Sequence, residues 1–162
     1  MSEFRFSGSV ELTADDKNRF RFPAKYRECY ASTTDEVSEV YILKTLNSKF
    51  LTILPKSVAD KLIDQLQSKM VLTETRESKI ARYYLSRIEA SKVDTQGRFI
   101  ISSKQMGDLH IGKEILMIGA GSQIQVWNKA DYEADCLELE EQWLKGEADA
   151  ERTGLDDIVI GL

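Results

Sequence analysis

The chain has 162 residues, 42% of them apolar and 30% charged, and carries a net charge of −5. That balance fits a folded soluble protein built as one ordinary domain or two small fused units, and it excludes disordered and membrane-embedded chains. No apolar run is long enough to cross a bilayer, and the opening MSEFRF lacks the basic-then-apolar pattern of a secretory signal.

In chain order, alternation at Val10 and Leu12 predicts a strand that runs into "ADDKN", a cluster of residues that tolerate turn geometry. Beyond the turn, Phe20 and Phe22 alternate with Arg19 and Arg21, so the outgoing strand has one apolar and one cationic face. A short helical turn is expected after Pro23 in "AKYREC", followed by two strands, "EVYILKT" and "FLTILP". Ser57 is placed to cap a helix over "VADKLIDQLQSK", with Val58, Leu62, Leu66 and Met70 on one face. A connecting helix, "ESKIARYYLSRI", follows with a stripe of Ile80, Tyr84 and Ile88; its Arg82 and Arg87 read as solvated or ion-paired. The second half then repeats the plan. "DTQGR" is a turn in which Gly97 does the work of Asn18, Phe99 and Ile101 alternate behind Arg98, and the strands "EILMIGA" and "QIQVWN" meet through a hairpin turn at "GAGS". A helix over "KADYEADCLELEEQWL" places Tyr132, Cys136, Leu139 and Trp143 at helical spacing. The apolar end "IVIGL" either docks on a neighbouring subunit or frays.

This parallel is an internal duplication. A shift of 79 positions sets Asp15 on Asp94, Arg19 on Arg98, Phe20 on Phe99 and Lys25 on Lys104, and a shift of 73 sets "LTILPK" on "IQVWNK". The difference falls in the polar stretch around "ASTTDEV", which reads as a longer loop in the first half.

Two turns that begin with Asp and place Arg four residues on suggest a specific chemistry. Asp15 can reach Arg19 across the turn and fix the guanidinium, which lowers the entropy lost when it meets a phosphate or a guanine edge. Arg addresses O6 and N7 of guanine bidentately, a pair worth about 1–3 kcal/mol of discrimination. Lys17, Arg21, Lys25 and Arg27 are candidates for phosphate contacts. The competing reading is an Asp–Arg pair that only holds a hairpin. Net charge does not decide between them: residues 131–157 sum to −9, whereas residues 1–130 sum to +4.

Catalytic readings find little footing. His110 is the only histidine and has no nucleophile motif around it, no phosphate-binding glycine loop is present, and metal-ligand spacing is absent, so no cofactor or metal is expected. Cys29 and Cys136 read as buried thiols in a reducing compartment, which points to the cytoplasm.

"DDKNRFRFPAKYRE" resembles the first-repeat signature of the MraZ family of bacterial transcriptional regulators, "ASKVDTQGRFIIS" resembles the second, and "VWNKADYE" is similar to the strand-to-helix passage after it. The resemblance spans nearly the whole chain; Asn18 departs from the family's usual Gly, yet Asn tolerates the left-handed conformation better than most residues. It implies an α+β, mostly β fold: a tandem swapped-hairpin (AbrB-like) β-barrel with flanking helices. The expected organisation is a first DNA-binding repeat at 9–56, connecting helices at 57–87, a second repeat at 88–131 and an acidic helix and tail at 132–162. It also implies double-stranded DNA as partner, self-association into a ring homo-oligomer, and a nucleoid location, without a membrane or small-molecule substrate. Carried onto this chain, Lys17, Arg19, Arg21, Lys25 and Arg98 are the expected DNA-binding residues, with Asp15 and Asp94 orienting the loops. Against this stands an oligomeric scaffold of the same fold that binds no DNA. An antitoxin-like repressor is a further alternative, disfavoured by the duplication within one chain.

Overall fold

The computed structural model describes residues 4–31 and 39–145. The side chain of Cys29, the acidic residues beyond 145 and the "IVIGL" end lie outside the described residues. The first half runs β1 (Ser9–Thr13), β2 (Arg19–Arg21), α1 (Ala24–Ala31), β3 (Glu39–Lys44), β4 (Phe50–Pro55) and α2 (Lys56–Gln67). After α3 (Arg76–Arg87), the same order returns as β5 (Glu89–Lys92), β6 (Arg98–Ile100), α4 (Ser103–Asp108), β7 (Glu114–Ala120), β8 (Gln123–Trp127) and α5 (Lys129–Leu144).

The two halves interleave. Six strands form one antiparallel sheet in the order β1-β7-β8-β4-β3-β5, and β2 pairs with β6 in a separate ribbon. Exchanging β1 with β5, β3 with β7 and β4 with β8 returns the same order read backwards, so the sheet has an internal twofold. The register agrees: Phe20 faces Phe99 at the centre of the ribbon, and Thr52 faces Gln125 at the centre of the β4–β8 pair. Each outer strand is donated to the opposite half, β1 to β7 and β5 to β3, which is the swapped arrangement the family resemblance implies. The fold is α+β, with most strands in one large antiparallel sheet.

Alternation fixes which face is buried where. Val40 and Ile42, Leu51 and Ile53, Ile115 and Met117, and Ile124 and Val126 point to one side, and they share a core with Phe20, Phe22, Phe99 and Ile101 of the ribbon segments. No strand ladder joins ribbon to sheet; the ribbon is seated by its aromatic face and by the Ser91 hydroxyl of β5, which donates to Ile100 O at 2.7 Å and accepts from Ile100 N–H at 3.2 Å. On the opposite side of the sheet, Leu43 and Leu54 pack with Ala59 and Leu62 of α2, and with Tyr84 and Ile88 from α3 and its end.

Helix details depart from expectation in instructive ways. Pro55, not Ser57, is the N-cap of α2, and no side chain caps it; the fixed φ of proline already suits a helix start. Its last helical residue is Gln67, which leaves Met70 beyond the helix and exposed. In α3, Thr75 and Ser78 cap each other reciprocally, and the buried residues are Ser78 and Ala81 while Ile80 stays partly exposed. Small side chains there let the helix sit close to its neighbours. Arg82 is paired with Glu74 at 2.8 Å, and the Arg87 guanidinium lies 4.1 Å from the centre of the Tyr83 ring. The short helix α4, the counterpart of α1, is too brief to show a periodicity in sequence. The helix from Lys129 belongs to a second unit and has no buried residue, with Leu137, Leu139, Trp143 and Leu144 exposed.

Candidate nucleic-acid interface

Both turns are built by one carboxylate. Asp15 Oδ1 accepts from the backbone N–H groups of Lys17 and Arg19, each at 2.9 Å, and Oδ2 accepts from Arg19 Nε at 2.7 Å. In the second turn Asp94 Oδ1 accepts from the N–H groups of Gln96 and Arg98, each at 2.9 Å, and Oδ2 from Arg98 Nε at 2.6 Å. The backbone closes equivalently: Asp15 N–H donates to Arg19 O and Asp94 N–H to Arg98 O, both at 2.9 Å. The chain reverses through a left-handed residue before each Arg, Asn18 at φ 60° and Gly97 at φ 78°. That is why an Asn can stand where a Gly would be easiest.

The bonds matter for orientation more than for stability, because ion pairs this exposed contribute little to folding. With Nε committed to the Asp, the terminal nitrogens of Arg19 and Arg98 have no hydrogen-bond partner among the described residues, and each side chain is part exposed. A guanidinium held at Nε and open at its outer edge is pre-set for bidentate recognition of a phosphate or a guanine.

The ribbon gathers these groups. Arg19 lies opposite Ile100 and Arg21 opposite Arg98, so the outward face of a three-residue ladder carries three arginines while Phe20 and Phe99 face inward. An acidic chain thus presents a compact cationic surface. Lys17 is exposed at the first turn. Arg21 is exposed, but its Nε donates to the Gln96 carbonyl at 2.9 Å. Lys25 is not on the ribbon; it sits on α1 with its ammonium 5.1 Å from the centre of the Tyr26 ring. Arg27, another candidate for phosphate contact, donates through Nη1 to the same Gln96 carbonyl at 3.4 Å. Gln96 therefore belongs to the site, although nothing in its side chain marks it in the sequence.

The N–H donors around each carboxylate hold Asp15 and Asp94 below the ordinary value of 3.8; the Arg19 and Arg98 backbone N–H groups contribute most, and the guanidinium and the next N–H add to them against partial desolvation. A carboxylate with a depressed folded pKa stabilises its turn fully above the unfolded value, and that contribution is lost as pH falls through the folded value. Both turns are therefore expected to persist through the mildly acidic range and to loosen only below pH 3.8. Carboxyl resonances followed by NMR across an acid titration check this, and a midpoint above 3.8 for either Asp would contradict it.

Among the described residues, no three His, Cys, Asp or Glu side chains gather as a metal site would require. No described helix is long and apolar enough to cross a membrane.

A family model described as "MraZ protein, putative antitoxin-like" matches residues 85–154, which include the second turn. The Transcriptional regulator MraZ of Bacteroides thetaiotaomicron is 28% identical over 137 residues, covering 85% of this chain and 86% of that protein. The Transcriptional regulator MraZ of Clostridium tetani is 28% identical over 128 residues, covering 79% and 84%. That of Moorella thermoacetica is 24% identical over 138 residues, covering 85% and 91%. Both turns, their spacing and the interleaved halves accompany this similarity to the MraZ family, which the family model supports over the second half and the relatives over most of the chain.

Proposed function

We propose that this protein is a sequence-specific DNA-binding regulator of transcription, not an enzyme, and that its two Asp-anchored turns present Arg19 and Arg98 to base edges in the major groove. One observation carries the reading: two matched turns each pin an arginine by Nε and leave its outer edge open, on the cationic face of an acidic chain. Asp15 and Asp94 orient the arginines, and Lys17 supplies phosphate attraction. Lys25, exposed on α1 beside the Tyr26 ring, is a further candidate for phosphate attraction. The names of the relatives point the same way.

The family resemblance refines the proposal. The targets are direct repeats upstream of the division and cell-wall gene cluster, including the protein's own promoter, and the working form is a ring homo-oligomer in the nucleoid. A ring suits the small number of cations per chain. Each neutralised phosphate contributes only about −0.9 to the slope of log K against log salt, whereas linked subunits engage linked repeats at high effective concentration.

Fluorescence anisotropy with a duplex from the protein's own upstream region, across a salt series, tests this. Binding should fall steeply with salt and weaken when the repeats are scrambled or reduced to one. Binding that is absent, or indifferent to repeat sequence, would leave an oligomeric scaffold as the better reading.

A further inference from the structure

The two turns match from within but are held differently from outside. Three bonds reach the second turn from the first half: Arg21 Nε to Gln96 O at 2.9 Å, Arg27 Nη1 to the same oxygen at 3.4 Å, and Phe22 N–H to Gly97 O at 2.9 Å. The Arg27 stem also lies on the turn, because a Cβ built on Gly97 would sit 2.7 Å from Arg27 Cδ. Gly97 is buried beneath it.

The twofold predicts equivalent bonds onto the first turn, and they are missing. Ile100 stands where Arg21 would, and Met106 where Arg27 would. Neither side chain can donate to a carbonyl. Among the described residues nothing bonds the carbonyls of Lys17 or Asn18, Asn18 is exposed, and an open groove of about 640 Å³ lined by Ala14, Asn18, Ile100, Met106 and Gly112 lies beside it.

Arg21 also faces Arg98 across the ribbon, and like charges directly opposite destabilise a strand pair. The Gln96 carbonyl offsets that repulsion by engaging Arg21 at Nε. From this we infer that Arg21 and Arg27 are positioning residues for the second turn: they hold Gln96, and with it Arg98, in a preset place, while the first turn is left to adjust. The inference rests on the DNA-reading proposal and assigns the two turns unequal roles, one setting register and one accommodating. A preset group loses less conformational entropy on binding, so Arg98 should be the more costly of the two arginines to disturb.

Two measurements on the full chain separate this from its rivals. The first needs no DNA: amide hydrogen exchange in Arg21→Ile, which copies the residue at the equivalent position. Exchange at Gln96, Gly97 and Arg98 should quicken by about tenfold while Lys17, Asn18 and Arg19 stay unchanged. Unchanged exchange at the second turn would overturn the inference, and a uniform rise across the ribbon would show general destabilisation instead and overturn it too. The second is a double-mutant cycle on DNA binding. Arg21→Ile should weaken binding about tenfold in the wild type and in Arg19→Ala, but add almost nothing in Arg98→Ala, with the salt slope unchanged. Arg21→Lys keeps the charge but loses the Nε donor that holds Gln96 O, so it should weaken binding much as Arg21→Ile does. Equal loss in both backgrounds, a slope reduced by about 0.9, and rescue by Arg21→Lys would make Arg21 a phosphate contact and overturn the inference. If exchange responds as stated but the wild type binds no DNA, the DNA reading fails and the hold on Gln96 stands.

Discussion

Phe99→Ala is expected to lower folding stability by about 3–5 kcal/mol, the usual cost of emptying a buried aromatic site. Phe99 is 1% exposed, stacks on Phe22 at 4.2 Å between ring centres, and lies 6.1 Å from Phe20. It sits on the internal twofold, directly opposite Phe20, so both halves lose a neighbour at once. No strand ladder ties the ribbon to the six-stranded sheet, so aromatic packing is the main tie, helped by the Ser91 hydroxyl of β5, which bonds the backbone of Ile100. A loss of this size is a large part of the 5–15 kcal/mol typical of a whole domain. Chemical denaturation should show a much lower midpoint with little change in slope, and exchange should rise in both turns together. A loss below about 1 kcal/mol would mean that the ribbon is held by something other than its aromatic face.

Gly119→Ala is expected to be nearly as damaging, by overpacking: about 3 kcal/mol. A Cβ on Gly119 would lie 2.3 Å from Ser7 N and 2.6 Å from Phe6 C, both backbone atoms that cannot swing aside. The approach is close because the segment before β1 runs against the end of β7, with Phe6 N–H donating to Gly121 O at 2.8 Å, Gly121 N–H to Phe6 O at 2.9 Å and Gly119 N–H to Gly8 O at 2.8 Å. Pushing that segment away would draw Phe4 and Phe6, 1% and 3% exposed, out of the core. Thermal denaturation of Gly119→Ala checks this, with Gly107→Ala as the control, since a Cβ at Gly107 meets nothing within 4 Å. Equal melting of the two variants would contradict the close approach.

Much of this architecture is legible in the sequence because it is written locally. Strand faces follow from alternation at Phe20, Phe22, Phe99 and Ile101, and the turns follow from Asp, Asn and Gly at positions whose backbone needs them. The duplication is legible because Asp15 and Asp94, and Arg19 and Arg98, must sit alike to make the same bonds. What could not be read is set by distant partners. Nothing near Phe4 and Phe6 says that they enter the core, or that Gly119 leaves them room. Arg21 and Arg27 look like phosphate contacts in isolation; only the pairing of β2 with β6 brings them to a main-chain oxygen at Gln96, whose own side chain is uninformative. The cap of α2 departs from the sequence expectation for a local reason. Ser57 is a better capping residue than Pro55 by propensity, but β4 runs without a gap into the helix, and the boundary falls where the strand ends.

The proposed function requires the outer edges of Arg19 and Arg98 to read DNA. The most direct measurement is the affinity of Arg19→Ala and Arg98→Ala for the upstream duplex by fluorescence anisotropy, with the unfolding midpoint of each variant taken alongside. Each lost bidentate contact should cost about 1–3 kcal/mol of binding, so affinity should drop roughly fivefold to 150-fold. The fold should be nearly untouched, because the ion pairs removed are exposed ones. Variants that unfold more readily yet bind as tightly as the wild type would overturn that role, and would make both turns structural hairpins.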